Sequence, residues 1–327
     1  MTIPPDDGPR PPRRASRTIG LWGAPQSGKT TFLGALYLAA NRSGGNVAIV
    51  GEDADSTRFM TDSHRLLSRE RSFPPATSGL NTYRWRVSVA GRPGAQAAPS
   101  TAPVEFSVSL KDAPGRIHDD QAGGLADEVE IAGDEDVVDR EEMLDYLAEC
   151  NGLLLMVDPV REQGPEDMRE YFHGTLLAIA ERVSQNTGSM RLPHFVAVCV
   201  TKFDHPDVYG FARKHNFRTY RDDDQYKFPR IHSQDAREFY TELGRSMGNG
   251  DADLICNALS HHFQPDRVQY FVTSAIGFYC DGNRFREDDR DNITIDKPGA
   301  QPRIRGPIYP INVLEPVVWL GRNIAAR

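Results

Sequence analysis

The sequence GAPQSGKT occupies Gly23 to Thr30 of this chain. It matches the pattern G-x-x-x-x-G-K-[ST] and lies between two apolar segments, Thr18–Trp22 and Thr30–Ala40, which are typical of a short strand and a helix. A glycine-rich turn in that position lets backbone N–H groups close around a phosphate at the positive end of the helix dipole. The sequence therefore predicts a phosphate-binding loop.

The side chains of this loop have predicted tasks. Lys29 is expected to reach the β- and γ-phosphate oxygens, and the Thr30 hydroxyl is expected to bind Mg²⁺. The residues predicted to surround the phosphates are Gly23, Pro25, Gln26, Ser27, Gly28, Lys29, Thr30 and Thr31.

Two kinds of apolar segment occur in the rest of the chain. GLLLMV (152–157) and FVAVCV (195–200) are continuous apolar runs, which indicates parallel strands covered on both faces. Tyr83–Val89 and Val104–Leu110 instead alternate apolar with polar residues, which indicates a hairpin with one wet face. We expect a three-layer α/β/α fold with a mostly parallel sheet and one antiparallel edge pair.

The remaining elements and boundaries follow from the same patterns. Further strands are predicted at Val47–Val50 and Tyr270–Thr273, and further helices at Ser56–Arg69, Glu166–Gln185 and Pro316–Asn323. A single domain is expected over 18–327, behind a disordered Pro/Arg-rich tail at 1–17 and with polar insertions at 116–140, 205–235 and 281–310. We expect the aromatic residues of 205–235 to pack on the core; covering a ligand or binding a partner are the alternatives.

The motif Thr201-Lys202-Phe203-Asp204 (TKFD) directly follows FVAVCV, at the end of a strand where open α/β sheets bind ligands. The Asp204 carboxylate can accept hydrogen bonds from N1–H and the exocyclic amine of guanine. Adenine lacks both donors in that arrangement and would leave the carboxylate unpaired. Lys202 can lay its methylene stem on the base plane. TKFD therefore predicts guanine as the base.

Two further motifs complete the predicted site. Asp112-Ala-Pro-Gly115 (DAPG) directly follows an alternating strand, so Asp112 is expected to hold Mg²⁺ through water and the Gly115 N–H to sense the γ-phosphate. The acidic, glycine-containing segment 116–140 suits either a mobile switch or a solvated loop. Thr273-Ser274-Ala275 (TSA) follows the last predicted strand, where backbone N–H groups can contact the guanine O6.

With GAPQSGKT, DAPG, TKFD and TSA in this order, the chain resembles the Ras-like and translation-factor-like GTPases of the P-loop class over roughly residues 18–327. PPAT (74–77), after an extra strand and helix, and the C-terminal EPVVWL resemble bacterial double-GTPase domains. The resemblance implies that Thr77 is the switch threonine that binds Mg²⁺ and the γ-phosphate, with Thr82 as the alternative. Gln26 then stands where potassium-dependent GTPases place asparagine, as a candidate contact for the bridging oxygen or K⁺.

One departure from the family bears on hydrolysis. Arg116 stands where Ras-like proteins carry a water-orienting glutamine and translation factors carry histidine. An arginine cannot orient the attacking water as an amide does; it can instead stabilise transition-state charge or point to solvent. We therefore expect slow intrinsic GTP hydrolysis. The residues expected to act on the γ-phosphate are Lys29, Thr77, Gly115 and Arg116.

Three functions remain open from the sequence. The first is a regulatory GTPase whose protein partner contacts 71–82 and 112–140 in the GTP-bound form. The second, which Arg116 favours, is a scaffold or sensor that holds GTP or GDP and hydrolyses it poorly. The third is an ATP-dependent P-loop enzyme in which TKFD is coincidental.

The composition of the chain argues against several other classes of function. The 327 residues carry a formal net charge of −8, which argues against nucleic acid or an anionic membrane as the main partner, since both need a cationic surface. No apolar run approaches the roughly 20 residues of a membrane span. The four cysteines form no metal-binding pair. A cytoplasmic location is expected, and pairing of two copies remains open.

Overall fold

The computed structural model describes residues 17–24, 26–75, 81–91, 103–112, 134–160, 167–188, 191–248, 251–295, 297 and 300–326. Within these residues the main sheet has seven strands: β1 (Arg17–Gly23), β2 (Val47–Gly51), β3 (Asn81–Val89), β4 (Val104–Asp112), β5 (Gly152–Val157), β6 (Phe195–Val200) and β7 (Val268–Val272). Their order across the sheet is β2-β3-β4-β1-β5-β6-β7.

The sheet is mostly parallel, with antiparallel pairing at one edge. β1 runs parallel to β4 and β5, and β6 runs parallel to β5 and β7. β3 pairs antiparallel with both β2 and β4. The predicted α/β fold class, with a mostly parallel sheet and antiparallel pairing at one edge, is therefore confirmed. The antiparallel part is one strand wider than predicted, because β2 joins the outer side of the β3–β4 hairpin.

Helices cover both faces of this sheet. The described helices are α1 (Lys29–Asn41), α2 (Ala54–Arg65), α3 (Asp134–Glu149), α4 (Asp167–Thr187), α5 (Pro206–Lys214), α6 (Ala236–Ser246), α7 (Asp251–His262) and α8 (Leu314–Ala325). One apolar core joins α1, α2 and α8 to the sheet, and a second joins α3 to α7 to its other face. A separate two-stranded sheet consists of β8 (Ile293–Thr294) and β9 (Arg303–Ile304).

The central strands are apolar throughout because both of their faces are covered. All six residues of β5 are buried. Leu153, Leu155 and Val157 belong to the core beside α3 and α4, whereas Leu154 and Met156 belong to the core beside α1 and α8. Side chains of a strand alternate between faces, so a continuous apolar run is the composition that a central parallel strand requires.

Three predicted boundaries need correction. β1 begins at Arg17, which was assigned to the tail, because Arg17 pairs with Val108 in β4. Residues 134–140, assigned to the polar insertion 116–140, begin α3 instead. Their acidic sequence suits the first turn of a helix, and the buried Met143 and Leu147 anchor that helix to the sheet. The predicted helix Ser56–Arg69 changes at Leu66 into a π-helical turn.

The insertion 205–235 packs on the core as expected. It begins with α5, where Pro206 occupies the first turn and needs no backbone donor. Its aromatic residues lie in the core beside α6, except Tyr220, which is 49% exposed. The packed aromatics are Tyr209, Phe211, Phe217, Tyr226 and Phe228.

The described helices were compared with the length and apolarity of a membrane span. Within the described part of the chain, no helix is both long enough and apolar enough to cross a lipid bilayer.

The contact between α8 and β4 can be tested at Gly321. A Cβ added there would lie 2.1 Å from the buried ring of Phe106, so Gly321→Ala should lower the free energy of unfolding by about 1–2 kcal/mol despite the better helix propensity of alanine. Gly210, in α5, has no atom within 4 Å of the same position. Gly210→Ala is therefore the matched control and should add about 0.5–1 kcal/mol. Denaturant unfolding measures both; equal effects would contradict the packing described.

Candidate nucleotide-binding site

The loop between β1 and α1 has backbone conformations that require glycine. Gly28 precedes α1 with φ 90°, in the left-handed region, and its carbonyl accepts the Phe32 N–H at 2.8 Å. A Cβ on Gly23 would lie 2.8 Å from the Met156 carbonyl oxygen in β5. Gln26 is left-handed as well, with φ 60°. The loop therefore curls tightly against the end of β5.

Two donor groups lie inside this loop. Lys29 is 7% exposed, and its Nζ donates to the carbonyl oxygens of Gly23 at 2.7 Å and Ala24 at 2.9 Å. The Ser27 hydroxyl is fully buried and has no hydrogen-bond partner among the described residues. A buried hydroxyl without a partner costs free energy unless a ligand supplies an acceptor. Both groups therefore suit an anion in the loop.

The other predicted phosphate contacts surround these two donors. Thr30 and Thr31 follow Lys29 in the first turn of α1 and are half-buried, whereas Gln26 is exposed. Pro25 lies outside the described residues.

The first half of TKFD is fastened to the end of β5. The Thr201 N–H and hydroxyl both donate to the Val157 carbonyl oxygen, at 2.9 and 3.1 Å. Lys202 has φ 57°, and its Nζ lies 2.5 Å from Oδ2 of Asp158. Sequence reasoning missed Asp158, although its position directly after GLLLMV carries the same signal as that of Asp204 after FVAVCV.

The second half of TKFD is fastened to the end of β7. The Phe203 N–H donates to the Thr273 carbonyl oxygen at 3.1 Å. The Ser274 hydroxyl donates to Oδ1 of Asp204 at 2.5 Å and accepts the Gly277 N–H at 2.7 Å. TKFD, which follows β6, is thus bonded to both neighbouring strands: its first half to the end of β5 and its second half to the end of β7.

The Asp204 carboxylate is buried and oriented. Burial raises the pKa of its carboxyl, and the hydrogen bond from Ser274 partly opposes that shift. One carboxylate oxygen accepts the Ser274 hydroxyl, and a carboxylate has further lone pairs for other donors. A ligand with N–H groups facing Asp204 would stabilise the ionised form.

Strand register brings the loop and TKFD to the same edge of the sheet. Gly23 pairs with Met156 in β5, and Met156 pairs with Cys199 in β6. Only β5 separates β1 from β6, so with strands about 4.8 Å apart the two strand ends lie roughly 10 Å from each other.

TSA provides fewer donors than the sequence suggests. The Thr273 N–H donates to the Val200 carbonyl oxygen, and the Ser274 N–H donates to that of Ile311. The Ser274 and Thr201 hydroxyls are likewise bonded within the protein. Among the predicted base contacts, the hydroxyls of Thr201 and Ser274 and the Ser274 N–H are therefore already bonded within the protein.

Several predicted residues lie wholly or partly outside the described residues. Asp112 ends β4, which pairs with β1, but its side chain is not among those described. Thr77, Gly115 and Arg116 lie outside them altogether. The alternative switch residue, Thr82, lies in β3 opposite Lys111 of β4.

The segment that leads to Thr77 is anchored by the C-terminal insertion. The Arg71 carbonyl accepts the Ile304 N–H at 2.9 Å, and Nη1 of Arg71 donates to the Arg305 carbonyl at 2.7 Å. A small apolar cluster supports this contact and includes residues on both sides: Leu38, Leu67, Phe73, Ile276, Ile304 and Ile308. We call this contact the 71–304 clasp.

Comparisons with known proteins add little to this geometry. No protein-family model and no curated protein matches the chain. Among solved structures, the chain is similar to a signal recognition particle receptor SRb-GTP/SRX complex from Chaetomium thermophilum, at 14% identity and a TM-score of 0.38, over 81% of this chain and 93% of that chain. At such values the similarity carries no argument about function.

Two structures of Sup35 are also similar. The structure with GDP has 12% identity, a TM-score of 0.32 and coverage of 93% of this chain and 44% of that chain. The structure with GMPPNP has 12% identity, a TM-score of 0.30 and coverage of 80% and 37%. This chain therefore spans less than half the length of the Sup35 chains, and these similarities carry no argument either.

The burial of Asp204 predicts a pH-dependent gain in stability for Asp204→Asn. Because the folded-state pKa is raised above 3.8, ionisation costs folding free energy at neutral pH, and that cost disappears as the pH falls toward 3.8. An asparagine carries no charge and still accepts the Ser274 hydroxyl. Thermal unfolding without added nucleotide should give the variant a higher Tm near neutral pH and an equal Tm in acid.

The matched control is Asp207→Asn, which removes an exposed carboxylate three residues away and should change stability by less than about 0.5 kcal/mol. A lower Tm for Asp204→Asn at neutral pH would show that the fold already compensates the charge.

Proposed function

We propose that the chain binds GTP and GDP and acts as a slow GTPase that works as a molecular switch. The observation that carries this proposal is the shared register of β1, β5 and β6. It brings a glycine loop with a buried ammonium and an unpaired buried hydroxyl to the same sheet edge as a buried, oriented carboxylate. One nucleotide can engage both groups, with its phosphates in the loop and its base at TKFD.

The loop binds the phosphates with charge and backbone donors. Lys29 exchanges its two carbonyl partners for phosphate oxygens, and Ser27 gains the acceptor that its hydroxyl lacks. The N-terminus of α1 adds the positive end of its dipole.

The turn at TKFD selects guanine. Asp204 accepts hydrogen bonds from the guanine N1–H and amine, the Lys202 stem covers the base plane, and the Ala275 N–H meets O6. Adenine leaves the buried Asp204 carboxylate without its donors, which is a large penalty at a desolvated site.

We propose that Thr30, Asp112 and Thr77 would hold a magnesium ion. The proposal is supported by the positions of Thr30, which follows Lys29 in α1, and of Asp112, which ends β4, the strand paired with β1. The bound ion would neutralise charge on the β- and γ-phosphates. Thr82 is held in the β3–β4 ladder, whereas Thr77 precedes β3 by four residues. A switch threonine has to release its contact when the γ-phosphate is lost, which favours Thr77 over Thr82, because Thr82 is paired within the sheet.

Hydrolysis and signalling depend on DAPG and the segments around it. The Gly115 N–H would contact the γ-phosphate, and a protein partner would contact 71–82 and 112–140 when GTP orders them. Arg116 in place of glutamine supports a slow intrinsic rate. The same residue favours a second candidate, a GTP- or GDP-binding scaffold that hardly turns over. Membership of the bacterial double-GTPase type remains a proposal carried by PPAT and EPVVWL.

Nucleotide binding is tested with Lys29→Ala and Asp204→Asn. Lys29→Ala should abolish or strongly weaken GDP binding, and Asp204→Asn should shift preference from guanine to xanthine nucleotides, because an amide can donate to the xanthine O2. Fluorescence titration with labelled GDP and XDP measures both, with Lys214→Ala, which changes an exposed residue at the end of α5, as the control. Unchanged GDP affinity in Lys29→Ala, or ATP that displaces GDP at equal concentration, would contradict the proposal.

Turnover separates the switch from the scaffold. Single-turnover GTP hydrolysis should be slow in the wild type, faster with K⁺ than with Na⁺ if Gln26 contacts the cation, and faster in Arg116→Gln, because the amide orients the attacking water. Arg116→Ala controls for loss of the charge alone. A lower rate in Arg116→Gln would show that the arginine stabilises the transition state, and no turnover in any protein would favour the scaffold.

A further inference from the structure

Asp158 is a fully buried carboxylate at the centre of the proposed nucleotide edge. It directly follows β5, the strand between the phosphate loop and TKFD, and its side chain is 1% exposed. A charge at such a site is costly unless it is paired and hydrogen-bonded. Oδ1 accepts the Val160 N–H at 3.1 Å. Oδ2 forms an ion pair with Nζ of Lys202 at 2.5 Å, without the geometry of a hydrogen bond, and accepts no hydrogen bond from the described residues.

Lys202 is held at both ends by this arrangement. Its backbone is left-handed at φ 57°, its carbonyl accepts the His205 N–H at 2.8 Å, and its amine is fixed on Asp158. The side chain is nevertheless 40% exposed. A lysine with 40% exposure would ordinarily sample many rotamers, so a buried anion at one fixed point restricts a stem that a ligand can still reach.

We propose that Asp158 is a positioning residue for base recognition: it fixes Lys202 so that the lysine stem forms one wall of the guanine site. The inference rests on the proposed function and extends it. TKFD then has two base-contacting side chains, each held by a buried polar partner. Asp158 holds Lys202 from the end of β5, and Ser274 holds Asp204 from the end of β7.

Stability alone gives a weaker reason for this pair. Desolvation of the buried Asp158 carboxylate offsets much of its attraction to Lys202, so this half-buried ion pair adds little net folding free energy. Fixing a flexible side chain before binding increases affinity, because the free energy of binding no longer includes the entropic cost of ordering that side chain. The geometry therefore points to binding as the property that Asp158 improves.

A double-mutant cycle tests the inference. GDP dissociation constants are measured for the wild type, Asp158→Asn, Lys202→Met and the double variant. Each single substitution should weaken GDP binding about fivefold, which corresponds to a coupling energy of about 1 kcal/mol. The double variant should bind no more weakly than Lys202→Met, because Asp158 acts through that lysine. Asp207→Asn, an exposed carboxylate near the same turn, should bind GDP like the wild type.

A second ligand distinguishes positioning from general damage to the sheet edge. Tripolyphosphate offers phosphates without a base, so its affinity, measured by competition, should be the same in Asp158→Asn and the wild type. Equal loss of tripolyphosphate and GDP binding would overturn the inference. It would also be overturned if Asp158→Asn bound GDP like the wild type while Lys202→Met was weakened, or if the two losses multiplied.

Folding failure and failure of the proposed function give different results. If Asp158→Asn does not fold, the double variant, which buries neither charge, is compared with Lys202→Met: equal GDP affinities support the inference, and a further loss overturns it. If the wild type itself shows no preference for GDP over ADP, the proposed function fails before any variant is compared.

Discussion

β1, β5 and β6 run parallel and in register, and this alignment fixes the distance between the loop before α1 and TKFD. β5 is buried on both faces, and its side chains pack in the two cores. The loops on either side contact the carboxyl end of this strand. On one side the loop before α1 curls against Met156, and on the other TKFD bonds to Val157 and Asp158. One central strand, β5, thus separates the two segments that we propose bind the nucleotide.

Local patterns allowed much of this fold to be predicted. A few neighbouring residues were enough to predict the phosphate loop at GAPQSGKT, the turn at TKFD, the two continuous apolar strands and the alternating strands of the hairpin. The start of α3 was missed because its anchoring residues, such as Met143, lie beyond the acidic stretch that resembles a loop. The outer strand β2 was predicted as a strand, but its antiparallel pairing with β3 depends on residues some forty positions away.

The site was less predictable than the fold, because the sequence does not show whether a hydroxyl group bonds to a ligand or to the protein itself. Thr201 and Ser274 stand in motifs that suggest ligand contacts, yet both hydroxyls are bonded within the protein. Once buried, a hydroxyl has to find an acceptor, and the nearest strand end supplies it. The position of Asp158 after an apolar run indicates a strand end, but its partner Lys202 and the partners of Arg71 in the 71–304 clasp lie far away in sequence, and no local pattern identifies them.

The 71–304 clasp also limits where the chain can hinge. Arg71 is tied to the strand β9, and the insertion that carries β9 begins just after TSA. Within the described residues, Pro74 and Pro75 are the positions of this segment that lie beyond the clasp and its apolar cluster, which reaches Phe73. If the chain binds a nucleotide as we propose, a protein that displaced Arg71 would also disturb β9, and any effect of that protein on nucleotide affinity would be matched by an equal effect of the nucleotide on the affinity of the protein.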